Sequence, residues 1–466
     1  MPQSDKKRYV VTYANPDISK EEVGNLLNVG RADVEDGVGV MASERIISDA
    51  DILHFDNIGA TVVSLTDAQK KALEKRDDVL EVVEDFEMHA LDAVNGQTEY
   101  LDAPLDTDTA APDTGLTAQQ MYMLGFNDGY KAMQDRLKEL MEAPESREGT
   151  ETSPVRPVPS PVLPRPIPPI VPFPPILRQP IPWNIQLVKA PGAWSRGIRG
   201  DNVKVAVLDT GIATHTDLIV SGGASFVPGV VSFNDDNGHG THCAGIVGAR
   251  DNFTGIVGVA PRCRLYAVKV LNSAGSGSFT QIVAGLSWSL ANKMDVVSMS
   301  LGAVMPCQNA PLALRNAINQ LIAAGITVVA AAGNSFNTAD PANPNGFVNI
   351  PASIPGVIAV AATNQANGIA PFSSRGGACN PVTLSAPGVK INSTYPFPAN
   401  AYRELSGTSM ACPHVAGAVA LIKQKFPAFT PAQIRFKLVS TAGDLGAPGT
   451  DPTFGAGLLN CNAATL

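Results

Sequence analysis

The stretch GTSMA at residues 407–411 places Ser409 between small residues, just before Pro413 and the apolar run of residues 415–422. This pattern predicts a hydroxyl group at the mouth of a buried helix. Small neighbours let another chain approach closely, and the N-terminus of a helix stabilises developing negative charge. Because a serine hydroxyl is a weak nucleophile at neutral pH, it needs a base and a group that orients the base.

Residues upstream supply candidates for both groups. The chain has six histidines, and His239 lies in NGHGTHCAG at residues 237–245, where flanking glycines leave the imidazole accessible. Asp209 ends the apolar segment KVAVLD at residues 204–209 and precedes a glycine turn. Sites in open α/β sheets form at the carboxyl ends of strands. We therefore expect Asp209 at such an end and His239 at the start of a buried helix.

The C-terminal part of the chain alternates short apolar runs with helical segments. Runs rich in valine and isoleucine predict buried parallel strands, which helices cover on both faces of the sheet. The predicted strands are residues 204–208, 265–271, 295–301, 326–331 and 357–362. The expected fold class is α/β, a three-layer α/β/α domain with a mainly parallel sheet.

Together these motifs resemble the subtilisin-like serine proteases. The segments DTG (209–211), HGTH (239–242) and GTSMA occur in that family's order and with similar spacing. The order differs from the triads of chymotrypsin-type enzymes and α/β-hydrolases. The resemblance implies that Asp209 orients the base, His239 is the general base and acid, and Ser409 is the nucleophile. It implies a serine endopeptidase that hydrolyses peptide bonds through an acyl-enzyme.

Further segments match the family's substrate site. Asn334, in AAAGN at residues 330–334, corresponds to the asparagine that forms the oxyanion hole with the main-chain N–H of the nucleophile. The resemblance assigns the pocket walls to Ser300, Leu301, Gly302, Ala331, Ala332 and Gly333, and the edge that pairs with an extended peptide to Gly275, Ser276 and Gly277. Small walls leave a roomy apolar pocket, so we expect large apolar or aromatic residues before the cleaved bond and broad tolerance elsewhere.

The resemblance also implies a structural calcium ion and no catalytic cofactor. Calcium takes oxygen ligands from carboxylates, amides and carbonyls. The corresponding ligands in this chain are Gln179, Asp217, Asn252 and the carbonyl groups of Arg250, Thr254 and Ile256. An ordinary turn rich in Asn and Asp is the alternative interpretation of the loop.

Charge and hydropathy limit the classes of partner that we expect for this chain. The formal net charge is −9 and no basic cluster suggests a nucleic acid partner. No apolar run reaches the roughly 18 residues that a membrane span needs. We expect protein or peptide substrates and a monomeric protein.

Residues 1–91 resemble the propeptide inhibitor domain of the same family, a small α+β fold. Strand-like runs at residues 8–13 and 78–85 flank a helical segment at residues 66–76. Residues 86–91 would then be the tail that lies in the active site as a product-like peptide. This predicts a self-inhibited zymogen that cleaves itself after Leu91, with its own propeptide as intramolecular inhibitor.

The chain departs from the usual family layout between residues 92 and 178. An acidic and helical insert at residues 92–153 contains a predicted helix at 117–142, whose apolar face would dock on the peptidase domain or mediate self-association. Residues 154–178 are a proline-rich linker, with a ligand for aromatic grooves as the alternative. The peptidase domain spans residues 179–466. The N-terminus of the mature enzyme stays open between Asp92 and Gln179.

Six cysteines, all after residue 240, allow 15 pairings if every one is bonded, and their pairing stays open. Cys243 lies one helical turn after His239, as in the proteinase K type of this family.

Two further questions stay open. Residues 1–8 lack the apolar segment of a secretory signal, which taken literally keeps the protein in the cytoplasm, whereas the propeptide resemblance implies secretion. The alternative to an enzyme is a binding or scaffold protein on a subtilisin-like frame, with its chemistry lost or permanently blocked by its own tail.

Overall fold

The computed structural model describes residues 6–43, 48, 50–91, 179–336, 346–376 and 380–466. The predicted insert, its helix at residues 117–142 and the proline-rich linker lie outside the described residues. Within the described part of the chain, no helix is both long and apolar enough to span a bilayer.

Within its described residues, the N-terminal segment forms a five-stranded sheet with three α-helices. Its strands are β1 (Lys7–Tyr13), β2 (Val34–Asp36), β3 (Ile52–Phe55), β4 (Ala60–Leu65) and β5 (Val79–Glu84), in the order β2-β3-β4-β1-β5. Its helices are α1 (Lys20–Leu27), α2 (Gly37–Met41) and α3 (Asp67–Leu73). Capping boxes start α1 and α3, because Ser19 and Thr66 each exchange hydrogen bonds with the residue three positions later. The predicted strands and helix of this segment are present.

A seven-stranded, all-parallel sheet forms the centre of the second part. Its strands are β7 (Lys204–Asp209), β8 (Val220–Ser225), β9 (Arg264–Lys269), β11 (Val296–Met299), β13 (Thr327–Ala331), β14 (Ile358–Thr363) and β15 (Leu384–Pro387). Their order is β15-β14-β13-β11-β7-β9-β8. Every neighbouring pair in this sheet runs parallel. The predicted mainly parallel sheet is confirmed.

Helices cover both faces of this sheet. The helices are α4 (Trp183–Leu187), α5 (Ala190–Trp194), α6 (His239–Gly248), α7 (Phe279–Ala291), α8 (Leu312–Ala323), α9 (Thr408–Lys425), α10 (Pro431–Thr441) and α11 (Cys461–Ala464). Along β7, Val205 and Val207 belong to the apolar cluster around α6 and α9. Ala206 and Leu208 belong to the cluster around α7 and α8. Because successive side chains alternate between faces, the sheet is buried on both sides, as expected of three layers.

A small third sheet joins the two parts of the chain. It contains β6 (Glu87–Ala90) between β10 (Ser276–Ser278) and β12 (Leu301–Gly302), with both pairs antiparallel. A separate hairpin pairs β16 (Ile391–Tyr395) with β17 (Ala401–Leu405). The strand predicted at residues 295–301 therefore ends early at Met299, because the chain turns out of the central sheet to pair with β6.

The strand predicted at residues 265–271 also ends early, at Lys269. Beyond it, the main-chain N–H groups of Val270 and Leu271 both donate to the carbonyl oxygen of Asp209, at 2.9 and 3.1 Å. This pair of hydrogen bonds turns the chain toward β10 and fastens it to the end of β7.

Most of the described cysteines are thiols. Cys243, Cys263, Cys412 and Cys461 are unbonded, and Cys307 is in a disulfide. Burial raises the pKa of the Cys243 thiol, so this side chain is protonated at neutral pH.

Candidate active site

The carboxyl end of β7 and the N-terminus of α6 bring Asp209 and His239 together. His239 Nδ1 lies 2.6 Å from Asp209 Oδ1, and both side chains are almost completely buried. An ionised carboxylate at Nδ1 fixes the imidazole orientation and favours the tautomer whose Nε2 can accept a proton. Cys243 Sγ lies 4.0 Å from His239 Nε2 and 3.5 Å from the main-chain oxygen of Ser409. Cys243 therefore contacts both the Nε2 edge of His239 and the turn that carries Ser409.

Ser409 lies in the first turn of α9, as its sequence context predicts. Its Oγ is 2.7 Å from the main-chain oxygen of Leu91 and 3.0 Å from that of Ser300. Leu91 follows directly after β6, so the last described residue of the N-terminal segment presents its carbonyl group to the hydroxyl of Ser409.

Asn334 approaches the same carbonyl group from another side. Its Nδ2 donates to the oxygen of Leu91 at 2.6 Å. Its Oδ1 accepts from the N–H and the Oγ1 of Thr408, both at 2.9 Å. Because the amide oxygen is held by two donors, the amide nitrogen must point at Leu91. Sequence reasoning missed these two contacts of Thr408, although the residue stands inside the GTSMA motif.

The last strand of the N-terminal segment, β6, lies between the two edge strands β10 and β12. Residue by residue, Ser276 pairs with His89 and Gly277 with Met88 on one side, and Leu301 pairs with Ala90 on the other.

Two hydrogen bonds extend this pairing to Leu91. The N–H of Ala90 donates to the oxygen of Gly275 at 2.9 Å, and that of Leu91 donates to the oxygen of Ser300 at 3.2 Å. The predicted edge at residues 275–277 and the wall at residues 300–302 therefore meet a peptide in extended conformation.

The side chain of Leu91 lies against the predicted pocket walls. A methyl group placed on Gly302 would come within 3.3 Å of Leu91 Cδ1, so this glycine leaves room for the side chain. Leu91 also packs against the apolar cluster that contains Ala331. Ala332 and Gly333 follow at the end of β13, with Ala332 fully buried and Gly333 in the left-handed region at φ 113°.

Residues 200–457, more than half of the chain, match the model of the subtilase family, Peptidase S8. The chain belongs to the subtilase family. The alkaline protease of Alkalihalobacillus alcalophilus is 48% identical over 289 residues, which cover 62% of this chain and 71% of that protein. Subtilisin Savinase of Lederbergia lenta is 48% identical over 287 residues, 62% of this chain and 99% of that protein. The predicted family is confirmed, and this subtilase is a subtilisin-like serine endopeptidase.

Five of the six residues predicted to bind calcium in this subtilase lie together through the predicted groups, and Thr254 contacts them through its hydroxyl instead of its carbonyl group. The carbonyl oxygens of Arg250 and Ile256 both accept hydrogen bonds from Gln179 Nε2, so two main-chain oxygens point at one position. Asn252 Nδ2 lies 3.1 Å from Asp217 Oδ1, beside them.

The remaining contacts hold the loop around Asp217. Thr254 Oγ1 lies 3.4 Å from Asp217 Oδ1. Asp217 Oδ2 accepts from the N–H of Ile256 at 2.9 Å and from the hydroxyl of Tyr402 at 2.8 Å. The Asp217 carboxylate and the converging carbonyls of Arg250 and Ile256 supply oxygens of the kind that calcium binds, whereas the amide of Asn252 faces Asp217 through its nitrogen. The amide of Gln179 faces the carbonyls through its nitrogen, and its oxygen accepts from the N–H groups of Asn252 and Phe253.

Proposed function

We propose that this endopeptidase works through Asp209, His239 and Ser409, with Asn334 as oxyanion donor. The observation that carries the proposal is the carbonyl oxygen of Leu91, which lies within hydrogen-bond distance of both Ser409 Oγ and Asn334 Nδ2. A peptide carbonyl in this position meets the nucleophile and the oxyanion donor at the same time.

The proposed reaction assigns the triad roles of the subtilase family to these residues. His239 Nε2 takes the proton of Ser409 Oγ as the hydroxyl attacks the carbonyl carbon, and Asp209 stabilises the imidazolium that forms. Asn334 Nδ2 and the N–H of Ser409 stabilise the negative oxygen of the tetrahedral intermediate. His239 then gives its proton to the leaving amine, which departs and leaves an acyl-enzyme. Water, activated by the same base, hydrolyses the ester.

Residues 1–91 are proposed to be an inhibitory propeptide, residues 92–178 a connecting insert and linker, and residues 179–466 the peptidase domain. The tail residue Met88 is completely buried against the peptidase part. Phe86 stacks on Phe279 with ring centroids 5.1 Å apart. A peptide bound this deeply excludes substrates, which supports a zymogen that processes itself after Leu91. All of these groups come from one chain, so a monomer suffices.

Two acidic side chains of the propeptide cap helices of the peptidase domain. Asp85 Oδ1 accepts from the N–H of Thr280 at 2.9 Å in the first turn of α7, and Glu81 Oε2 accepts from the N–H of Leu312 at 2.6 Å, the first residue of α8. Carboxylates at helix N-termini satisfy main-chain donors and interact favourably with the helix dipole. Burial raises the pKa of both carboxyl groups, so the contact is made at a desolvation cost.

The substrate preference is proposed from the pocket that holds Leu91. Leu301 is fully buried and Gly302 lies against the leucine side chain, so an apolar side chain fits while a charged one would be desolvated. We expect peptides with Leu or Phe before the cleaved bond to have kcat/KM about 10²-fold above matched peptides with Asp. A peptide series that differs only at this residue measures the ratio, and equal values for Asp and Leu would contradict the pocket assignment.

A structural calcium ion is proposed at Gln179, Asp217, Asn252 and the carbonyls of Arg250, Thr254 and Ile256. Calcium at 100 times its Kd would stabilise the fold by about 2.7 kcal/mol, which raises Tm by several degrees. We expect a chelator to lower the Tm of the full chain, and Asp217→Asn to abolish the response to added calcium. Asp251→Asn is the matched control, because Asp251 is in the same loop but pairs with Arg199. A wild-type Tm that is equal in calcium and in chelator would refute the site.

A further inference from the structure

Asp235 is a buried acid for which the proposed reaction has no role. It lies four residues before His239 in the loop that leads into α6, and its side chain is only 1% exposed. Burying an ionised carboxylate is costly unless its oxygens are well hydrogen-bonded. We therefore expect the buried carboxylate of Asp235 to organise the polar groups around it.

The two oxygens of Asp235 accept hydrogen bonds from five donors. Oδ1 accepts from Thr210 Oγ1 at 2.8 Å, from the N–H of Asn237 at 3.0 Å and from the N–H of Gly238 at 2.9 Å. Oδ2 accepts from the N–H of Thr241 at 2.9 Å and from its hydroxyl at 2.6 Å. The N-cap residue of helix α6 is Gly238, which makes no side-chain hydrogen bond to the first turn. Asp235 accepts in its place from main-chain N–H groups at the start of the helix, such as that of Thr241.

Thr210 connects this carboxylate to both partners of the Asp209–His239 pair. Its N–H donates to Asp209 Oδ1 at 2.7 Å. Its hydroxyl donates to Asp235 and accepts from the N–H of Gly240 at 2.9 Å. Thr210 follows Asp209, and Gly240 follows His239. The hydroxyl of Thr210 therefore joins the turn after Asp209 to the helix that carries His239.

We propose that Asp235 is a positioning residue that clamps the turn after Asp209 onto the N-terminus of the His239 helix. The clamp maintains the 2.6 Å contact between His239 Nδ1 and Asp209 Oδ1. The inference rests on the proposed function, in which those two residues orient and supply the base.

Asp236, the residue after Asp235, helps to hold the turn after Asp209 through the buried Lys269. Lys269 is completely buried, and its Nζ donates to Asp236 Oδ1 at 2.6 Å, to the oxygen of Thr210 at 2.6 Å and to the oxygen of Leu271 at 3.1 Å. The turn is therefore fixed at the side chain of Thr210 through Asp235 and at its carbonyl through Lys269.

The charge of Asp235 is essential to the clamp, because all five of its partners act as donors. In Asp235→Asn the amide NH2 would face main-chain N–H groups in either orientation, those of Asn237 and Gly238 on one side or that of Thr241 on the other. Such an N–H cannot reverse its role, so the loop must move. A shift of about 1 Å in a catalytic group costs roughly 10²-fold in rate.

The experiment compares Asp235→Asn, Thr210→Val and Thr210→Ser in the full chain, with Asp209→Asn as reference. A serine-directed covalent inhibitor counts working sites, so kcat is expressed per site. The rate of self-cleavage after Leu91 is measured in parallel, since it needs no released enzyme. We expect Asp235→Asn to lower kcat per site about 10²-fold with little change in KM, and Thr210→Val to lower it less. Thr210→Ser keeps the hydroxyl and is expected to retain wild-type turnover.

The outcomes separate the clamp from the triad and from a merely structural role. If Asp235→Asn does not fold, the comparison of Thr210→Val with Thr210→Ser tests the clamp. Thr210→Val replaces only the hydroxyl by a methyl group, and Thr210→Ser keeps the hydroxyl. Fewer working sites with unchanged kcat per site would overturn the clamp, and so would wild-type turnover in Thr210→Val. If Asp209→Asn also kept wild-type turnover, the proposed function itself would fail. If Asp209→Asn lost activity while the other variants kept it, only the clamp would be wrong.

Discussion

Replacing Ser409 by alanine is expected to lower kcat for peptide hydrolysis by about 10⁶-fold, the size of loss known for the triad serine of subtilisins. The reason is geometric, because Ser409 Oγ lies 2.7 Å from the peptide carbonyl of Leu91 and the bond to carbon cannot form without it. Activity that remains would come from the oxyanion donors and substrate binding alone. The measurement is steady-state hydrolysis of a leucine-containing peptide by enzyme freed of residues 1–91.

Ser440→Ala is the matched control for this change. Ser440 is an exposed serine late in α10 whose hydroxyl contacts only the oxygen of Lys437 among the described groups. Its replacement should leave kcat and KM unchanged. If the Ser409→Ala variant, free of wild-type enzyme, kept more than a small fraction of activity, another nucleophile would have to do the chemistry.

Replacing Asn334 by leucine, which has a similar shape, is expected to lower kcat by about 10²–10³-fold with a small change in KM. The amide of Asn334 donates to the oxygen of Leu91 at 2.6 Å, and this hydrogen bond strengthens as the oxygen becomes negative. An interaction that grows toward the transition state affects kcat more than substrate binding. Kinetics on the same peptide separate the two constants.

Thr408→Val tests whether the amide must also be held in place. It removes the hydroxyl that donates to Asn334 Oδ1 at 2.9 Å but keeps the main-chain donor at the same distance. A smaller loss in kcat than that of Asn334→Leu is expected. For Asn334 itself, a raised KM with a wild-type kcat in Asn334→Leu would show that its amide is not an oxyanion donor.

Much of the site could be predicted because its residues stand at the ends of strongly patterned elements. Asp209 ends a strand whose preceding four residues are apolar, and Ser409 lies in the first turn of an 18-residue helix. Parallel strands bring their carboxyl ends, and the starts of the helices that follow, to one edge of the sheet, so Asp209 and Ser409 converge although 200 positions separate them in the chain. The family resemblance then supplied the roles of Asn334 and of the pocket segments, which periodicity alone does not give.

Other features depend on contacts between distant segments and leave no local signal. The cap of α8 by Glu81 joins residues 231 positions apart, and a glutamate in a β-strand is unremarkable by itself. The residues 295–301 read as one apolar strand, yet Leu301 leaves the central sheet to pair with Ala90 of β6. The buried Lys269 sits in an ordinary apolar strand pattern, and only the fold shows that three acceptors surround its ammonium group.

The most direct test of the account is the intact mass of the purified full chain beside its Ser409→Ala variant. The account predicts that the wild type separates into fragments, one of which ends at Leu91, while the variant stays whole under the same conditions. Cleavage of both proteins at Leu91, with contaminating protease excluded, would show that Ser409 is not the nucleophile. A wild type that stays whole and is not labelled by a serine-directed covalent inhibitor after its N-terminal segment is removed would contradict the account and favour a permanently blocked scaffold.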